Sequence, residues 1–505
     1  MSHAEGAAPT TPPAAAAATD ADAAPAEEVN LLDKIIKEGR LGRDEEQRSL
    51  AKDLIGEFVA QVMAKTMTVS SDTQAMINAR IGALDTLISR QLNAVMHHED
   101  FQKLEASWRG LHYLVDRSET GPRLKIRVLN VSKKDLQKDM ERAGTFVDKS
   151  VLFEKVYEEE FGTFGGAPFG ALVGDYEFSR HPQDVKLLEK ISGVAAAAHA
   201  PFVASASPEL FNWDDYAQMS DRRELAKIFE SPEYTSWRSF RDSEDARYVG
   251  LCLPHILMRL PYGAATAPVE AFNFEEDVDG ADNHKYLWGN AAYAFATRLT
   301  DAFAKHSWCA AIRGVQGGGL VEGLPAHTFK TDEGDVALKC PTEIAVTDRR
   351  EKELSDLGFI PLVHCKNTDY AAFFGAQSCQ KAKIYDKDAA NANARLSTQL
   401  QYIMATSRFA HYLKAMMRDK IGAFMSRSEC ELFLNRWIGQ YVTQDAEASQ
   451  SVKAKRPLSE ARIDVVDIAG KPGCYQAVAF LKPHFQLDEL TISLRLVAEL
   501  PPPAK

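Results

Sequence analysis

Short apolar runs alternate with helical stretches from Leu124 onward, and this alternation restricts the fold more than any other feature of the chain. Continuous apolar runs of this kind are typical of strands that are buried on both faces of a sheet, with helices covering both faces. The sequence therefore predicts an α/β domain over residues 123–455, which ends in two long helices at about 391–424 and 427–447. The predicted strands are LKIRVL, GALVGDY, PFVASAS, YVGLCLP, TEIAVT and GFIPLVHC.

Helical periodicity dominates the region before this domain, residues 45–122. Apolar side chains recur every three or four residues along 45–66, 72–96 and 101–115, which is the period of an amphipathic helix. Ordinary core packing is the commonest reason for such stripes, so we expect these side chains to face the core of the protein. The stripes consist of Leu50, Leu54, Phe58 and Val62; Ile77, Ile81, Leu84, Ile88, Leu92 and Val95; and Phe101, Leu104, Trp108, Leu111 and Val115.

The C-terminal region, residues 456–505, contains three predicted strands, ARIDVVDI, CYQAVAFL and ELTISLRLVAEL. In the third, leucine and isoleucine alternate with threonine, serine and arginine, which is the two-residue period of a half-buried strand. A strand pair at a chain terminus is barely stable alone, and its open edges favour pairing with another chain. The commoner alternative is that these strands complete the internal sheet, and the sequence pattern leaves both arrangements open.

Residues 1–28 are rich in alanine, proline and acidic side chains and contain no lysine or arginine, which predicts a disordered tail. The segment VNLLDKIIKEG, within residues 29–40, predicts one short amphipathic helix with Asn30 as its N-cap and Gly39 as its stop. A helix of two to three turns is marginal in water, so it must dock either on its own body or on another protein. Its apolar stripe consists of Leu31, Leu32, Ile35 and Ile36.

Charge and cysteine content argue against several classes of protein. The 59 basic and 71 acidic residues leave a net charge of −12, which argues against nucleic acid or an anionic membrane as the main partner. Seven scattered cysteines form no CxxC pair, so the sequence predicts neither a disulfide framework nor a zinc site. The chain has no apolar run of membrane-spanning length and no signal peptide, so we expect a cytoplasmic protein without membrane insertion.

Sequence motifs of enzymes are also missing. The glycine-rich segments 161–170 and 317–323 lack the lysine and the spacing of phosphate-binding loops, so they predict tight turns or close backbone contacts. Adjacent acids such as Glu275 and Glu276 carry little information in a chain this acidic, and the pair His97–His98 lies at a predicted helix end, where capping is the commoner role. We therefore predict no catalytic residue, cofactor or metal, and keep an α/β hydrolase only as an alternative.

Seven segments of the chain are distinctive as a set. They are HHEDFQKLEASWRGLHYLV, LPYG, FNFEE, YLWGNAAYAFA, PTEIAVTDRREKELSDLGFIPLVHCKNTDYAAFFGAQS, NARLSTQLQYIMATSRFAHYLKAMMRDKIGAF and KPGCYQAVAFLKPHFQLDELTISLRLVAELP. These segments resemble the large subunit of the contractile sheath of type VI secretion, the TssC or VipB family. The resemblance runs from about residue 29 to the C-terminus, and its long segments are far more specific than a short motif.

The resemblance implies a tail-sheath-like α/β (α+β) fold and a structural role without enzymatic activity. It implies pairing with a small sheath subunit (TssB or VipA) and assembly of further copies into a helical lattice around the inner tube protein Hcp, on a baseplate. Contraction would propel tube and spike into a target cell, after which the AAA+ unfoldase ClpV would dismantle the sheath. The implied location is the cytoplasm, within a membrane-anchored apparatus of a Gram-negative bacterium.

The resemblance also assigns two sets of residues to contacts between chains. Leu31, Leu32, Ile35 and Ile36 correspond to the helix that the unfoldase recognises. The C-terminal strands correspond to strands that are exchanged between neighbouring subunits. The alternative within the same class is the sheath of a phage tail or an extracellular contractile particle, which the N-terminal helix disfavours because those sheaths have no dedicated unfoldase. The residues assigned to the exchanged strands are Val478, Phe480, Leu490, Ile492, Leu494 and Leu496.

Overall fold

The structure of the chain is a computed structural model, and it divides into two units, Met1–Leu87 and Ile88–Lys505. The predicted tail (1–28), the predicted helix at 29–40 and the last predicted strand lie outside the described residues. The described residues are 44–63, 73–220, 224–331, 334–423, 425–445, 447–468 and 475–486.

Helices and strands alternate along the second unit, after a helical N-terminal region. The helices are α1 Glu45–Met63, α2 Thr73–Met96, α3 Glu99–Asp116, α4 Lys133–Ala143, α5 Val151–Phe153 with the π-helix Glu154–Phe161, α6 Pro182–Ala198, α7 Leu225–Phe229, α8 Thr235–Asp242, α9 Ala291–His306, α10 Asp348–Asp356, α11 Asp388–Leu396, α12 Leu400–Asp419, α13 Arg427–Ile438 and α14 Gln450–Lys455. The strands are β1 Leu172–Phe178, β2 Phe202–Ala206, β3 Val249–Leu253, β4 Ile256–Leu257, β5 Trp288–Gly289, β6 Leu320–Val321, β7 Thr328–Lys330, β8 Val336–Leu338, β9 Ile360–His364, β10 Ala371–Phe373, β11 Leu458–Asp467 and β12 Tyr475–Pro483.

A six-stranded mixed sheet with the order β1-β2-β3-β9-β10-β6 forms the centre of the second unit. The first four strands run parallel, with Phe202 opposite Val249 and Cys252 opposite Ile360, and β10 and β6 continue the sheet antiparallel. These four parallel strands are the predicted runs GALVGDY, PFVASAS, YVGLCLP and GFIPLVHC. The predicted α/β fold class is therefore confirmed.

The inner strands β2, β3 and β9 are buried on both faces, as the continuous apolar runs predicted. In β2, Phe202 and Ala204 point into one core, where they pack with side chains of α6 and α8. Val203, between them, points into a second core with Phe295 of α9 and Leu400 of α12. Because neighbouring side chains on a strand face opposite ways, a strand between two helical layers has to be apolar at every position.

Two predicted strands are wrong. Within the described residues, LKIRVL pairs with no strand, because charged side chains occupy alternate positions and Val128 is left 67% exposed. TEIAVT forms only one isolated bridge, between Thr342 and Ile256, and its last residue, Thr347, is the N-cap of α10. The Thr347 side chain accepts a hydrogen bond from the amide of Arg350 there.

The two long helices are also shorter than predicted. The first is divided into α11 and α12 at residues 397–399, where the amide of Leu400 donates to the carbonyl of Ala376 and Gln399 bridges to Gln377. The second ends at Ile438 in a short 3₁₀ turn. Helical periodicity continues through both interruptions, so only the tertiary contacts mark them.

The three N-terminal helices form where the sequence predicts them, but the prediction that their stripes face the core is wrong. Leu54 on α1 is 62% exposed and Trp108 on α3 is 67% exposed. On α3 the buried residues are instead Gly110 and Leu114, which contact Tyr293 of α9. The stripe residues with exposed side chains are Leu50, Leu54, Ile77, Ile81, Leu84, Ile88, Val95, Phe101, Leu104, Trp108 and Val115.

Strands β11 and β12 confirm two of the three predicted C-terminal strands, and they form an antiparallel sheet of their own. The alternative that they extend the six-stranded sheet is therefore wrong. Their inner face packs on α12 and α13 in a third core, which includes Phe409, Leu434 and Ile463. In the described part of the chain, no helix is long and apolar enough to cross a membrane.

Candidate assembly surfaces

The outer edge of β11 is partly occupied by α13. The side-chain amide of Asn435 donates to the carbonyl of Ile463 (2.7 Å) and accepts from its N–H (3.0 Å), as a neighbouring strand would. The carboxylate of Glu431 accepts a hydrogen bond from the N–H of Val465 (3.3 Å). These contacts show that the backbone groups of Ile463 and Val465 point away from β12.

The same contacts identify which groups of β12 point outward. Ile463 lies opposite Ala479, and Val465 lies opposite Ala477. In an antiparallel pair, directly opposed residues either exchange both hydrogen bonds or both turn their backbone groups outward. The N–H and C=O groups of Ala477 and Ala479 therefore point away from β11. An extended strand from another chain can add to this edge through backbone hydrogen bonds.

Two of the predicted inter-subunit residues, Val478 and Phe480, lie on the face of this sheet that is opposite the core. Their side chains are 38% and 52% exposed, and the guanidinium of Arg462 stacks over the Phe480 ring at 4.8 Å. Val466 on β11 adds to the exposed apolar area of the same face. The remaining predicted residues lie outside the described part: Leu490, Ile492, Leu494 and Leu496, and the recognition residues Leu31, Leu32, Ile35 and Ile36.

The exposed stripes on α1, α2 and α3 form a second kind of candidate surface. Each helix carries large apolar side chains on a face that the described residues of its own unit leave uncovered, such as Met63 on α1 and Leu104 on α3. Exposed apolar surface of this extent marks a site of protein–protein interaction in soluble proteins. The periodicity of the sequence found these residues but could not show that they are exposed.

A buried ion-pair cluster fixes α3 to the segment that contains LPYG and FNFEE. The carboxylate of Glu276 receives both terminal nitrogens of Arg259 (2.6 and 3.0 Å) and the amide of Tyr262 (2.8 Å). Arg259 also donates from Nε to Glu105 of α3 (2.8 Å). His97, just before α3, reaches Glu276 at 3.3 Å. In the sequence Glu276 is one acidic residue among many, and no signal in a single sequence distinguishes it from the others.

A second cluster connects the ends of β1 and β3. His255, just after β3, contacts Glu177 of β1 through Nε2 (2.9 Å) and Glu343 through Nδ1 (2.6 Å). Burial lowers the pKa of His255, but the two carboxylates more than offset this effect and raise it to about 10. The imidazole is therefore a cation in the folded protein at neutral pH, and it joins three segments of the chain.

This cluster predicts a loss of stability at alkaline pH. Because the pKa of His255 is higher in the folded state than its ordinary value, its stabilising effect is complete below about pH 6.5 and disappears as the pH rises towards 10. At about pH 6.5 the wild type should have a larger free energy of unfolding than the variant His255→Gln. We expect this difference to shrink by about 2 to 4 kcal/mol as the pH rises from about 6.5 to 10. Urea denaturation followed by the fluorescence of the buried Trp213 and Trp237 measures it. A difference that stays constant with pH would contradict the prediction.

The glycine-rich segments form close backbone contacts, as predicted. A Cβ atom at Gly166 would lie 2.1 Å from the carbonyl oxygen of Glu160, and one at Gly319 would lie 2.5 Å from that of Phe373. His98 caps α3 by accepting from the amide of Asp100. Within the described ranges, no group of three or more potential ligand side chains is arranged to hold a metal ion.

Comparisons with known proteins match almost the entire chain. The VipB family model, described as the EvpB/VC_A0108 tail sheath N-terminal domain, matches residues 78–380. The VipB_2 model, described as the EvpB/VC_A0108 tail sheath gpW/gp25-like domain, matches residues 389–500. The type VI secretion system sheath protein TssC1 of Pseudomonas aeruginosa strain PAO1 is 51% identical over 461 residues, which are 91% of this chain and 93% of that protein.

Two solved structures of contractile particles show weaker similarity. One is the anti-feeding prophage baseplate (TM-score 0.34, 8% identity, 62% of this chain and 66% of that chain). The other is the contracted sheath complex of the PVC extracellular contractile injection system (TM-score 0.32, 10% identity, 61% of this chain and 68% of that chain). These scores are too low to define a shared fold, so the assignment depends on the sequence matches.

The matches define the class of protein as a contractile tail sheath. The chain belongs to the VipB (TssC) family of type VI secretion sheath proteins. The family resemblance is therefore confirmed, and membership in a family of structural proteins confirms the non-enzymatic prediction and rules out the hydrolase alternative. Membership also implies assembly with other sheath subunits and with further copies of the chain.

Proposed function

We propose that this chain is the large sheath subunit that pairs with a small sheath subunit (TssB or VipA) and polymerises in a helical lattice around the inner tube protein Hcp, on a baseplate. Contraction of the lattice propels tube and spike into a target cell. The assembly lies in the cytoplasm of a Gram-negative bacterium, as part of a membrane-anchored apparatus. The domain boundaries predicted from the sequence, with a sheath core at 123–455 and an exchange region at 456–505, are part of this proposal.

The outward-pointing edge of β12 is the observation that carries the proposal. The sheet of β11 and β12 is attached to the body by its inner face, while Ala477 and Ala479 present backbone groups outward. We propose that residues 489–500, with Leu490, Ile492, Leu494 and Leu496, form an arm that adds to the corresponding sheet of another copy. Backbone hydrogen bonds between strands of different subunits hold the subunits together while the side-chain contacts between them change during contraction.

The exposed stripes of α1–α3 support pairing with the small subunit. Leaving a large apolar side chain exposed forgoes about 1.5 to 3 kcal/mol of burial free energy. Several such side chains occur on each helix, so the chain alone has a strong tendency to aggregate. A partner that covers these stripes removes this cost, and we assign that role to the small subunit.

Co-expression with the small subunit of the same secretion system tests the proposal. We expect the chain alone to be poorly soluble and the pair to yield long hollow tubules, visible by negative-stain electron microscopy. Substitution of Leu54 and Leu104 by glutamate should prevent pairing, whereas substitution of the exposed polar Lys52 by glutamate should not. Equal yields of soluble monomer with and without the partner, together with an absence of tubules, would contradict the proposal.

The N-terminal recognition helix is a further part of the proposal. We assign Leu31, Leu32, Ile35 and Ile36 to the groove of the AAA+ unfoldase ClpV, in a helix-in-groove arrangement. This assignment depends on the family resemblance and on the amphipathic pattern, because these residues lie outside the described structure.

A further inference from the structure

The segment that follows β12 is held on the body of the protein. The amide of His484 donates to the carbonyl of Pro457 (3.0 Å). Two residues further, the amide of Gln486 donates to the hydroxyl of Tyr402 on α12 (3.1 Å). The chain therefore does not leave the two-stranded sheet freely at Pro483.

The side chain of Gln486 makes two more hydrogen bonds. Its Oε1 accepts from Nε of Arg313 (2.9 Å), and its Nε2 donates to the carbonyl of Ala310 (3.0 Å). Gln486 is thus held through its backbone amide, its side-chain oxygen and its side-chain nitrogen at the same time. A glutamine whose side-chain donor and acceptor are both used is fixed in position as well as in orientation.

The groups that hold Gln486 belong to a rigid part of the protein. Tyr402 and Arg313 are each only 7% exposed. Arg313 directly precedes the tight glycine turn, in which the amide of Gly314 donates to the carbonyl of Phe373 (2.6 Å) and the amide of Phe373 donates to the carbonyl of Gly319 (3.0 Å). The contact at Gln486 is therefore tied through β10 to the six-stranded sheet.

This contact restricts where the arm can go. For an arm to fold back on its own β12, the chain would have to reverse in a hairpin turn, and such turns use about two to five residues after Pro483. Residues 484–486 would belong to this turn, but they are fixed on the body by the four hydrogen bonds above. Only residues 487 and 488 remain before the predicted strand at 489–500. A two-residue turn at 487–488 would need the backbone amide of Gln486 to bond residue 489. That amide already donates to the hydroxyl of Tyr402, so this turn is not available while the contact is in place.

We propose that residues 484–486 form a clamp, the Gln486 clamp, which prevents the arm from pairing with its own sheet and so directs it to the sheet of another copy. This inference rests on the proposed exchange of the arm. The clamp matters because an arm that folds back competes at high effective concentration with every arm from outside. It also transmits the pull of a neighbouring copy to the six-stranded sheet instead of to the small sheet of β11 and β12.

Variants of the full chain, co-expressed with the small subunit, test the clamp. Gln486→Ala removes both side-chain bonds, and Tyr402→Phe removes the hydroxyl that accepts the backbone amide. We expect each variant to lower the number of tubules at least tenfold and to leave soluble, unpolymerised pairs whose thermal unfolding matches that of the wild type. Phe485→Ala is the matched control, because this neighbouring side chain is 65% exposed, and it should polymerise normally.

Deletion of residues 487–505 separates the two ideas. If the deletion abolishes tubules while Gln486→Ala and Tyr402→Phe polymerise like the wild type, the clamp is wrong and arm exchange stands. If the chain without residues 487–505 still forms tubules, arm exchange itself is wrong, and the clamp, which depends on arm exchange, is wrong as well. In the pairs that Gln486→Ala leaves unpolymerised, limited proteolysis should find the arm protected, since it then lies on its own β12. Rapid cleavage of the arm in those pairs would overturn the fold-back mechanism.

Discussion

Replacing Ala479 by proline is expected to abolish sheath tubules and leave the subunit folded. The N–H of Ala479 points away from β11, so proline removes no hydrogen bond of the existing strand pair. It does remove the donor that an added strand needs, and its ring occupies the space next to that strand. The lost hydrogen bond costs about 1 kcal/mol in each contact, and the steric conflict adds to it at every subunit of the lattice.

The controls for this experiment use the same strand. Ala479→Val keeps the amide and has a higher strand propensity, so its tubules should form as in the wild type. Ala477→Pro, at the next outward-pointing position, should repeat the effect of Ala479→Pro. Thermal unfolding and pairing with the small subunit show whether each variant is folded. Normal tubules from folded Ala479→Pro would show that no strand adds to this edge.

The substitutions Leu32→Asp and Ile36→Asp, made together, are expected to block recycling of the sheath without affecting its assembly. These residues lie one turn apart on the predicted stripe. Burying each side chain in a receptor groove would contribute about 1.5 to 3 kcal/mol of binding free energy. Losing both is enough to abolish a modest affinity. Tubules of the double variant should form, contract, and then persist in the presence of the unfoldase and ATP, as turbidity and electron microscopy would show.

A matched control changes the polar face of the same helix. Lys34→Asp with Lys37→Asp introduces two carboxylates as well but leaves the stripe intact, so disassembly should continue at a rate near that of the wild type. Disassembly of the Leu32/Ile36 variant at the wild-type rate would contradict the recognition assignment. Failure of that variant to assemble would show instead that the helix belongs to the body of the subunit.

The central sheet was predictable because its strands depend on local sequence alone. The inner strands β2, β3 and β9 lie between two helical layers, so nearly every position is apolar and the pattern is continuous. The edge strand β1 differs, because Asp175 and Glu177 are exposed. LKIRVL was predicted from the same composition, but it pairs with no strand among the residues that the structure describes. Its alternating charged residues would require one face in solvent, which a strand between two layers does not have.

The N-terminal helices show what a periodic sequence pattern does not determine. Their 3.6-residue period determined that helices form at α1, α2 and α3, and this part of the prediction is confirmed. A period specifies an apolar face but does not specify what covers it. No described residue of its own unit covers Leu54 or Trp108, so these side chains are candidates for contact with a partner instead of members of the core.

The sequence by itself determined the family, the buried parallel strands, the helical N-terminal region and two C-terminal strands, because each depends on residues that are close together in the chain. Only the tertiary structure decided which groups meet across long separations. It brought Asn435 to Ile463, which shows that the backbone groups of Ala479 point outward, and it brought Gln486 to Arg313 and Tyr402. These pairings depend on how helices and sheets pack, and a single sequence carries no periodic signal for contacts between distant residues.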